Sequence, residues 1–316
     1  MGRYCYFVEN NWRCVDEEGC VLRLVVNKPT MKKFKVKIII LTYNAGPRFQ
    51  DTIDMLLKQK NISNNDILIV DSSSTDGTQE FVRKAGFELI VIPKSEFGHG
   101  KTRKMAAEKA GDVDIVTFMT QDTLLFDEDA ISNICNYFEK DNKLAAVYGR
   151  QIPYTDTDIF GTHARIFNYP EKSYIRSFED RAKYGIKTAF FSDTFGAYKK
   201  TVLESLGSFP DIQFGEDTCM AGKMLINGYK IGYCAEAKVY HSHTFTILEE
   251  YKRYRNIGKF YRQEKWLLEA FGRAEGEGLR FVKSQINYLL EQGKWYLLPE
   301  LVLRNGMKYL GYKFLI

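Results

Sequence analysis

The sequence predicts an α/β protein with a mostly parallel central sheet and helices on its faces. From Val36 onward, short apolar runs rich in β-branched residues alternate with segments of helical spacing. Polar or glycine-containing turns close the runs. Hydrophobic residues make up 45% of the 316 residues, which is enough to bury a large core. Because strands separated by helices form right-handed βαβ units, we expect ligands to bind at the carboxyl ends of the strands.

Four strands form the first part of the predicted sheet. Their apolar runs are short and end at turn-forming residues, whereas the segments between them have apolar residues at helical spacing. The expected strands are Val36–Leu41, Ile67–Val70, Glu88–Ile92 and Ile115–Met119, and the expected helices are Phe49–Lys58, Thr78–Ala85 and Lys101–Ala110.

Beyond Asp122 the alternation continues less regularly. The expected elements are a helix over Glu128–Lys140, a strand over Ala145–Tyr148, a long polar stretch over Arg150–Lys187, a helix–turn unit over Thr201–Gly207, a helix over Thr218–Asn227, and strands over Lys230–Cys234 and Lys238–Tyr240. From Leu248 the sequence is mostly helical and amphipathic.

These patterns divide the chain into three regions. Residues 1–31 form an N-terminal extension, either poorly ordered or folded as an edge hairpin that includes Val21–Val26. Residues 32–246 form the α/β domain. Residues 247–316 form a helical region rich in basic and aromatic side chains.

Composition excludes several classes of protein. The net charge of +5 is too small for a protein built around nucleic acid. No apolar run approaches the about 18 to 20 residues that span a bilayer, and the N-terminus lacks a hydrophobic signal core, so we expect a cytoplasmic or peripheral protein. The six cysteines contain no CxxC pair, which favours reduced thiols.

Basic charge is concentrated near the C-terminus, where residues 251–316 hold 13 Lys and Arg against 6 Asp and Glu. Aromatic side chains alternate with these cations in Tyr251–Tyr261. A basic aromatic helix suits anionic lipid headgroups, while the alternative is that the aromatic residues complete the core.

Four residues at predicted strand ends or helix starts can carry chemistry: Asp71, Asp122, Asp217 and His241. A carboxylate and an imidazole beside a nucleotide diphosphate provide what a divalent cation requires. Each residue also has an ordinary structural explanation. Aspartates are common in turns and at helix N-termini, and a histidine can be a hydrogen-bonded core residue.

Two nucleotide-binding motifs are excluded. Gly98-His99-Gly100-Lys101-Thr102 contains the Gly-Lys-Thr of a phosphate-binding loop, but Ser95 stands where that loop needs glycine. No GxGxxG follows the first strand, which argues against a dinucleotide-dependent oxidoreductase.

The ordered motifs of the chain resemble those of family 2 inverting glycosyltransferases with the GT-A fold. These motifs are Thr42-Tyr43-Asn44, Asp71-Ser72-Ser73-Ser74-Thr75-Asp76-Gly77, Thr120-Gln121-Asp122, Phe214-Gly215-Glu216-Asp217 and Val239-Tyr240-His241. Three further segments are similar in sequence to bacterial rhamnosyltransferases: Phe97–Arg103, Tyr148–Gln151 and His241-Ser242-His243.

The resemblance assigns a role to each matched residue. Asp217 would be the catalytic base, and Asp122 and His241 would bind Mg²⁺ or Mn²⁺, although Thr120 stands at the first position of the usual Asp-x-Asp motif. Glu216 and His243 would support the site or contact the acceptor. The residues that would bind the nucleotide are Thr42, Tyr43, Asn44, Asp71, Arg103 and Gln121.

The implied activity is transfer of L-rhamnose from dTDP-L-rhamnose, with inversion, to a polysaccharide or lipid-linked oligosaccharide at the inner face of a bacterial membrane. One alternative is a family 2 transferase that uses a UDP-hexose such as UDP-glucose. Another, from a different class, is an inactive nucleotide-sugar-binding protein that acts as a membrane scaffold. The partners expected are a nucleotide sugar, a glycan acceptor and a membrane surface, without nucleic acid.

Overall fold

The computed structural model describes residues 4–8, 11–15, 21–23, 34–274 and 276–313. The chain divides into two compact units, Met1–Lys33 and Phe34–Ile316. In the first unit, β1 (Tyr4–Val8), β2 (Asn11–Val15) and β3 (Val21–Arg23) form an antiparallel sheet in that order.

The second unit contains a nine-stranded sheet with helices on both faces. Its strands are β4 (Val36–Thr42), β5 (Ile67–Asp71), β6 (Glu88–Val91), β7 (Ile115–Thr120), β8 (Leu124–Leu125), β9 (Leu144–Ile152), β10 (Tyr174–Arg176), β11 (Phe195–Lys199) and β12 (Lys230–Tyr240). The helices are α1 (Arg48–Leu57), α2 (Thr78–Ala85), α3 (His99–Glu108), α4 (Ala130–Asn136), α5 (Ile159–Asn168), α6 (Arg181–Tyr184), α7 (Lys200–Ser205), α8 (Glu216–Ile226), α9 (Ile247–Gln263), α10 (Lys265–Phe271), α11 (Glu277–Glu291) and α12 (Leu298–Lys313).

Strand direction brings the predicted site together. The order is β10-β12-β9-β11-β7-β4-β5-β6, with β8 paired to β12. The pairs within β7-β4-β5-β6 and the pair β12-β9 are parallel, and β11 runs antiparallel to both β7 and β9. Consequently β4, β5, β7, β9 and β12 all point the same way, and their carboxyl ends meet at one edge of the sheet. The predicted α/β fold class is confirmed.

The structure differs from the predicted elements mainly between residues 150 and 200. Helix α5 and strand β10 lie inside the expected polar stretch, and the sequence analysis predicted no strand at β11. Helix α5 begins because the Asp158 side chain accepts a hydrogen bond from Gly161 N at 2.6 Å and Phe160 is buried. Strands Lys230–Cys234 and Lys238–Tyr240 are one strand, β12, with a register shift between them.

Helices α9 and α10 share the core of the sheet domain, whereas the buried Leu289 of α11 and Leu301 of α12 form a separate small cluster with Phe160. One face of the sheet packs against α1, α2 and α4, and the other packs against α3, α8, α9 and α10. Phe260, Leu267 and Phe271 are buried in this second layer. No boundary between compact units therefore falls at residues 246–247, where the sequence suggested one. In the part of the chain that the structure describes, no helix has both the length and the apolar character needed to cross a bilayer.

Helices α9 and α12 approach closely through two glycines. A Cβ on Gly258 would lie 2.6 Å from Tyr312 O, and one on Gly311 would lie 2.5 Å from Tyr251 O. Any side chain at either position would push the helices apart. Buried ion pairs from Lys308 and Arg304 of α12 to Glu250 of α9 add polar contacts to this hairpin.

Candidate active site

The ends of β4 and β5 join Thr42 and Asp71 in a buried hydrogen-bonded group. The Thr42 hydroxyl donates to Asp71 Oδ2 at 2.8 Å, and Ser74 and Gln79 donate to the same carboxylate. Since four donors fix its two oxygens, the Asp71 carboxylate is held in one orientation. The hydrogen bond from Ser74 N closes the turn after β5. Asp71 therefore also has the ordinary structural role of a turn residue.

Tyr43 and Asn44 extend this group beyond β4. Gln121 joins β4 to the end of β7, because its Oε1 accepts from Tyr43 N at 2.8 Å and its Nε2 donates to Tyr43 O at 3.2 Å. Asn44 Oδ1 accepts from Thr75 N at 2.9 Å. The Tyr43 ring is 39% exposed, with Lys94 Nζ 4.2 Å from its centre. A fixed aromatic face at a strand end is suited to contact a base or sugar.

Asp122, His241 and His243 form a compact cluster of ligand atoms. The Nε2 atoms of His241 and His243 lie 3.3 Å and 3.6 Å from Asp122 Oδ2, and the three ligand atoms lie within 4.8 Å of one another. The structure thus groups His243 with the predicted metal pair. One carboxylate and two imidazoles can bind a divalent cation whose remaining ligands are phosphate oxygens.

The hydrogen bonds of Gln151 fix the orientation of His241. Arg165 Nη1 lies 2.7 Å from one side-chain atom of Gln151, and a guanidinium only donates, so this atom is the oxygen Oε1. His241 Nδ1 lies 2.8 Å from the same oxygen and must carry a hydrogen. Burial lowers the pKa of His241, which eases loss of the Nε2 proton that bonds Asp122 and leaves a lone pair there for a cation. A lone pair facing a carboxylate oxygen fits a cation between them.

Asp122 remains ionised in this cluster. Burial opposes its charge, but hydrogen bonding and electrostatic interaction with His241, aided by Thr120 and His243, hold the pKa of Asp122 well below its usual range. Burial also lowers the pKa of His243, to about 4, and the neighbouring His241 contributes to that shift. Neutral imidazoles and an ionised carboxylate are the protonation states that metal binding requires.

Asp217 belongs to a second group, at the start of α8. Gly215 has a φ of +79°, and a Cβ there would lie 2.6 Å from the Phe260 ring, so glycine sets the entry into this helix. The Asp217 carboxylate accepts hydrogen bonds from Thr218 N at 2.6 Å and Asp193 N at 3.3 Å. Burial and then the charge of Glu216 raise the pKa of Asp217 to about 6. A carboxylate with this pKa can take a proton near neutral pH.

Arg103 lies buried beside Asp217, between two other carboxylates. Its Nη1 is 2.7 Å from Glu216 Oε1 and its Nε is 2.9 Å from Asp193 Oδ2. Tyr198 OH donates to the other oxygen of Asp193 at 2.6 Å. Because Asp193 N also bonds Asp217, this network fixes the position of the predicted base. These are the contacts of a positioning residue, and nucleotide contact by Arg103 remains a prediction.

Sequence reasoning missed the supporting residues Gln151, Arg165 and Asp193. Gln151 is the penultimate residue of β9 and lies inside a motif that the sequence analysis quoted without giving this residue a role. Asp193 precedes β11, whose five residues FGAYK have too little β-branched character to signal a strand. Arg165 lies on α5, a helix that the sequence analysis did not predict. The one sequence signal for site residues was a polar residue directly after a strand. Gln151 lies near the end of a strand and fits this signal only in part.

Within Gly98–Thr102, Gly100 serves packing. A Cβ on Gly100 would lie 1.7 Å from Pro210 O, so the first turn of α3 touches the backbone of the loop before α8. This contact explains the glycine without a phosphate and agrees with the exclusion of a phosphate-binding loop.

A cleft of about 700 Å³ opens beside His243. Helices α5, α9, α11 and α12 form its walls. Its aromatic lining consists of Phe160, Phe167, Phe245, Tyr254, Phe281, Tyr309 and Tyr312, and its cationic lining consists of Arg165, Lys187, Arg253, Arg304 and Lys308.

At one edge of an α/β sheet the structure therefore places the buried carboxylate of Asp71, the Asp122–His241–His243 cluster of candidate metal ligands, and the Asp217 carboxylate with its raised pKa. This combination is that of a GT-A glycosyltransferase, an enzyme that moves a sugar from a nucleotide. The chain belongs to glycosyltransferase family 2, whose family model, Glycosyl transferase family 2, matches residues 37–207.

Two curated relatives are similar over most of the chain. The O-antigen chain rhamnosyltransferase RfbN of Salmonella typhimurium (strain LT2) is 43% identical, covering 88% of this chain and 88% of the relative. The O-antigen chain rhamnosyltransferase WbaN of Salmonella anatum is 42% identical, covering 87% of each.

Among solved structures, the fold is similar to that of the mannosyltransferase PcManGT from Pyrobaculum calidifontis in complex with GDP-Man and Mn²⁺. The TM-score is 0.61 at 17% identity, covering 89% of this chain and 88% of that chain. The GT-A fold prediction is confirmed.

Proposed function

We propose that this glycosyltransferase moves L-rhamnose from dTDP-L-rhamnose, with inversion, onto a growing O-antigen-type glycan or its lipid-linked precursor. The observation that carries the proposal is the 43% identity, over 88% of both chains, to an O-antigen chain rhamnosyltransferase. The three groups described at the sheet edge support an active enzyme over an inactive scaffold, because a scaffold needs no carboxylate with a raised pKa.

In this proposal the β4 and β5 ends bind the nucleotide. Asp71 accepts the N3–H of the pyrimidine in place of one of its present donors. Tyr43, Asn44 and Gln121 line the base and ribose. Thr42 keeps the Asp71 carboxylate oriented throughout, since its hydroxyl donates to Oδ2.

Asp122, His241 and His243 would hold Mg²⁺ or Mn²⁺. The cation, when bound, neutralises charge on the departing diphosphate. Gln151 keeps the Nε2 lone pair of His241 directed at the cluster through the bond to Nδ1.

Asp217 acts on the acceptor. It takes the proton of the acceptor hydroxyl as that oxygen forms a bond to the anomeric carbon and the carbon–oxygen bond to the diphosphate breaks. Attack opposite the leaving group inverts the anomeric centre. Arg103 and Glu216 hold the start of α8 so that the carboxylate faces the acceptor.

We also propose that the C-terminal helices contact an anionic membrane surface. Trp295, Val302 and Leu303 are 66%, 70% and 53% exposed, and the region carries excess positive charge. Exposed aromatic and aliphatic side chains beside cations suit a lipid headgroup layer.

The donor is tested with a panel of dTDP-L-rhamnose, UDP-glucose, UDP-galactose and GDP-mannose, measured as acceptor-independent hydrolysis and as nucleotide-sugar affinity. We expect hydrolysis and the tightest binding with dTDP-L-rhamnose. A preference for a UDP-hexose would show that the proposed donor is wrong. Binding of a nucleotide sugar without hydrolysis or transfer of any sugar would favour the inactive scaffold protein.

Membrane contact is tested by sedimentation with phosphatidylglycerol vesicles at low salt. We expect Val302→Asp to reduce binding. Val91→Asp is the matched control, because Val91 is 46% exposed on β6. Equal sedimentation of the parent with neutral phosphatidylcholine vesicles, or no sedimentation, would contradict the proposal.

A further inference from the structure

Two arginines beside the Asp122–His241–His243 cluster lack an acidic partner. Arg165 on α5 donates to Gln151 Oε1 at 2.7 Å, and its guanidinium lies 5.8 Å from the centre of the Tyr169 ring. Its Nε is buried without a hydrogen-bond partner. Arg253 on α9 lies 5.7 Å from the centre of the Phe245 ring. Within residues 34–274 and 276–313, neither guanidinium has a carboxylate within ion-pair distance.

The other cations of the cleft are already paired. Lys187 forms an ion pair with Glu277, and both Arg304 and Lys308 form ion pairs with Glu250. Of the five cationic side chains that line the cleft among the described residues, Arg165 and Arg253 are therefore those left for a ligand.

Arg165 is partly buried, and its Nε is fully enclosed, which makes the missing partner significant. A charged group removed from water is destabilising unless a counter-ion or several hydrogen bonds compensate it. Burial accordingly lowers the pKa of Arg165. An anion bound from the open cleft would supply the missing partner.

The position of the pair indicates which anion. Arg165 and Arg253 line the same cleft as His243, a proposed metal ligand. An anion held by both arginines would lie next to the proposed metal ligands. The planar donor fork of arginine matches the paired oxygens of a phosphoryl group.

We propose that Arg165 and Arg253 bind a phosphoryl group in the cleft, beside the Asp122–His241–His243 cluster. The inference rests on the proposed function, since the reaction brings a phosphorylated compound to this edge. The phosphoryl group belongs either to the donor diphosphate or to a phosphorylated acceptor. Both sources present the same chemistry to the two guanidiniums.

Calorimetry on the full-length protein tests the proposal and distinguishes the sources. The first arm titrates dTDP in the presence of Mn²⁺, and the second titrates inorganic pyrophosphate into protein saturated with dTDP and Mn²⁺. The variants are Arg165→Gln, Arg165→Lys and Arg253→Gln. The matched control is Arg255→Gln, which removes the same charge from an exposed position on α9 outside the cleft.

We expect each Gln variant to weaken binding by about tenfold or more in one arm, and the control to be unchanged. A loss in the dTDP arm assigns the donor diphosphate, and a loss confined to the pyrophosphate arm assigns the acceptor phosphate. Arg165→Lys should recover only part of the affinity, because lysine lacks the planar fork.

Mn²⁺ affinity, measured by electron paramagnetic resonance, separates phosphoryl binding from an indirect effect on His241. Arg253→Gln removes a positive charge near the cluster without breaking a bond to Gln151, so it should not weaken Mn²⁺ binding. Folded Gln variants that match the parent within twofold in both arms would overturn the proposal. Neither arm contains the transferred sugar, so an error in the identity of that sugar leaves this result intact.

Discussion

Asp122 and Asp217 are the same residue type in two surroundings that shift the pKa in opposite directions. Two histidines face Asp122 and lower its pKa, while burial beside Glu216 raises the pKa of Asp217 to about 6. Under the proposed function, the ionised Asp122 would serve as a metal ligand and Asp217 would exchange a proton. The comparison teaches that neighbouring side chains, more than residue type, divide the roles of ligand and base.

The largest effect should come from removing the base. Asp217→Asn keeps the shape of the side chain but cannot accept the acceptor proton, so transfer should fall by about 10²- to 10⁴-fold. Affinity for dTDP with Mn²⁺ should stay the same by calorimetry. Asp211→Asn, in the exposed loop before α8, is the control. Transfer within a few fold of the parent would move the base elsewhere, with Glu216 next.

Asp122→Asn should act mainly on metal-dependent nucleotide binding, which precedes the sugar-transfer step. Loss of the carboxylate removes the charged ligand of the cluster, so Mn²⁺-dependent affinity for dTDP should fall by more than about tenfold. Titrations of dTDP with Mn²⁺ and with a chelator measure the metal-dependent part. Glu128→Gln, an exposed change six residues later, should leave that part intact. An unchanged metal dependence would remove Asp122 from the metal site.

Gln151→Leu tests whether the orientation of His241 matters. Without the amide oxygen, Nδ1 loses its acceptor, and Mn²⁺ affinity should fall by about 10- to 100-fold, as for other residues that orient metal ligands. Gln151→Glu keeps an acceptor toward Nδ1 and should retain more affinity than the Leu variant. Equal Mn²⁺ affinities for parent and Leu variant, measured by electron paramagnetic resonance, would contradict this role.

The smallest effect is a shift along the pH axis. Asp217 must be ionised to take a proton, so kcat/KM should fall as pH decreases through about 6. The negative charge of Glu216 contributes to the raised pKa, so Glu216→Gln should move this limb to lower pH. Rate profiles of both proteins test the shift. A parallel loss of dTDP affinity would assign the titration to another group.

The parallel half of the sheet could be predicted from sequence because local signals agree there. Strands β4, β5 and β7 are buried on both faces and read as continuous apolar runs ended by turn residues. The polar residues that follow them, including Asp71 and Asp122, could be located from chain order alone.

The supporting contacts could not be predicted, because they join residues far apart in the chain. His241 meets Gln151 across 90 positions, and Arg103 meets Glu216 and Asp193 through burial that no local pattern records. The sequence predicted Asp217 as a base, but the raised pKa depends on this three-dimensional setting. Strand β11, short and glycine-containing, was missed for the related reason that its stability comes from its neighbours.

The close approach of α9 and α12 has a consequence for synthesis on the ribosome. The cleft has one wall from α5, near the middle of the sequence, and others from α9, α11 and α12, which are made later. Because Gly258 and Gly311 bring α12 directly against α9, a nascent chain without α12 leaves this face of α9 uncovered and the cleft open. A chain that stops before α12 would thus carry the Asp122–His241–His243 cluster and Asp217 beside an incomplete cleft.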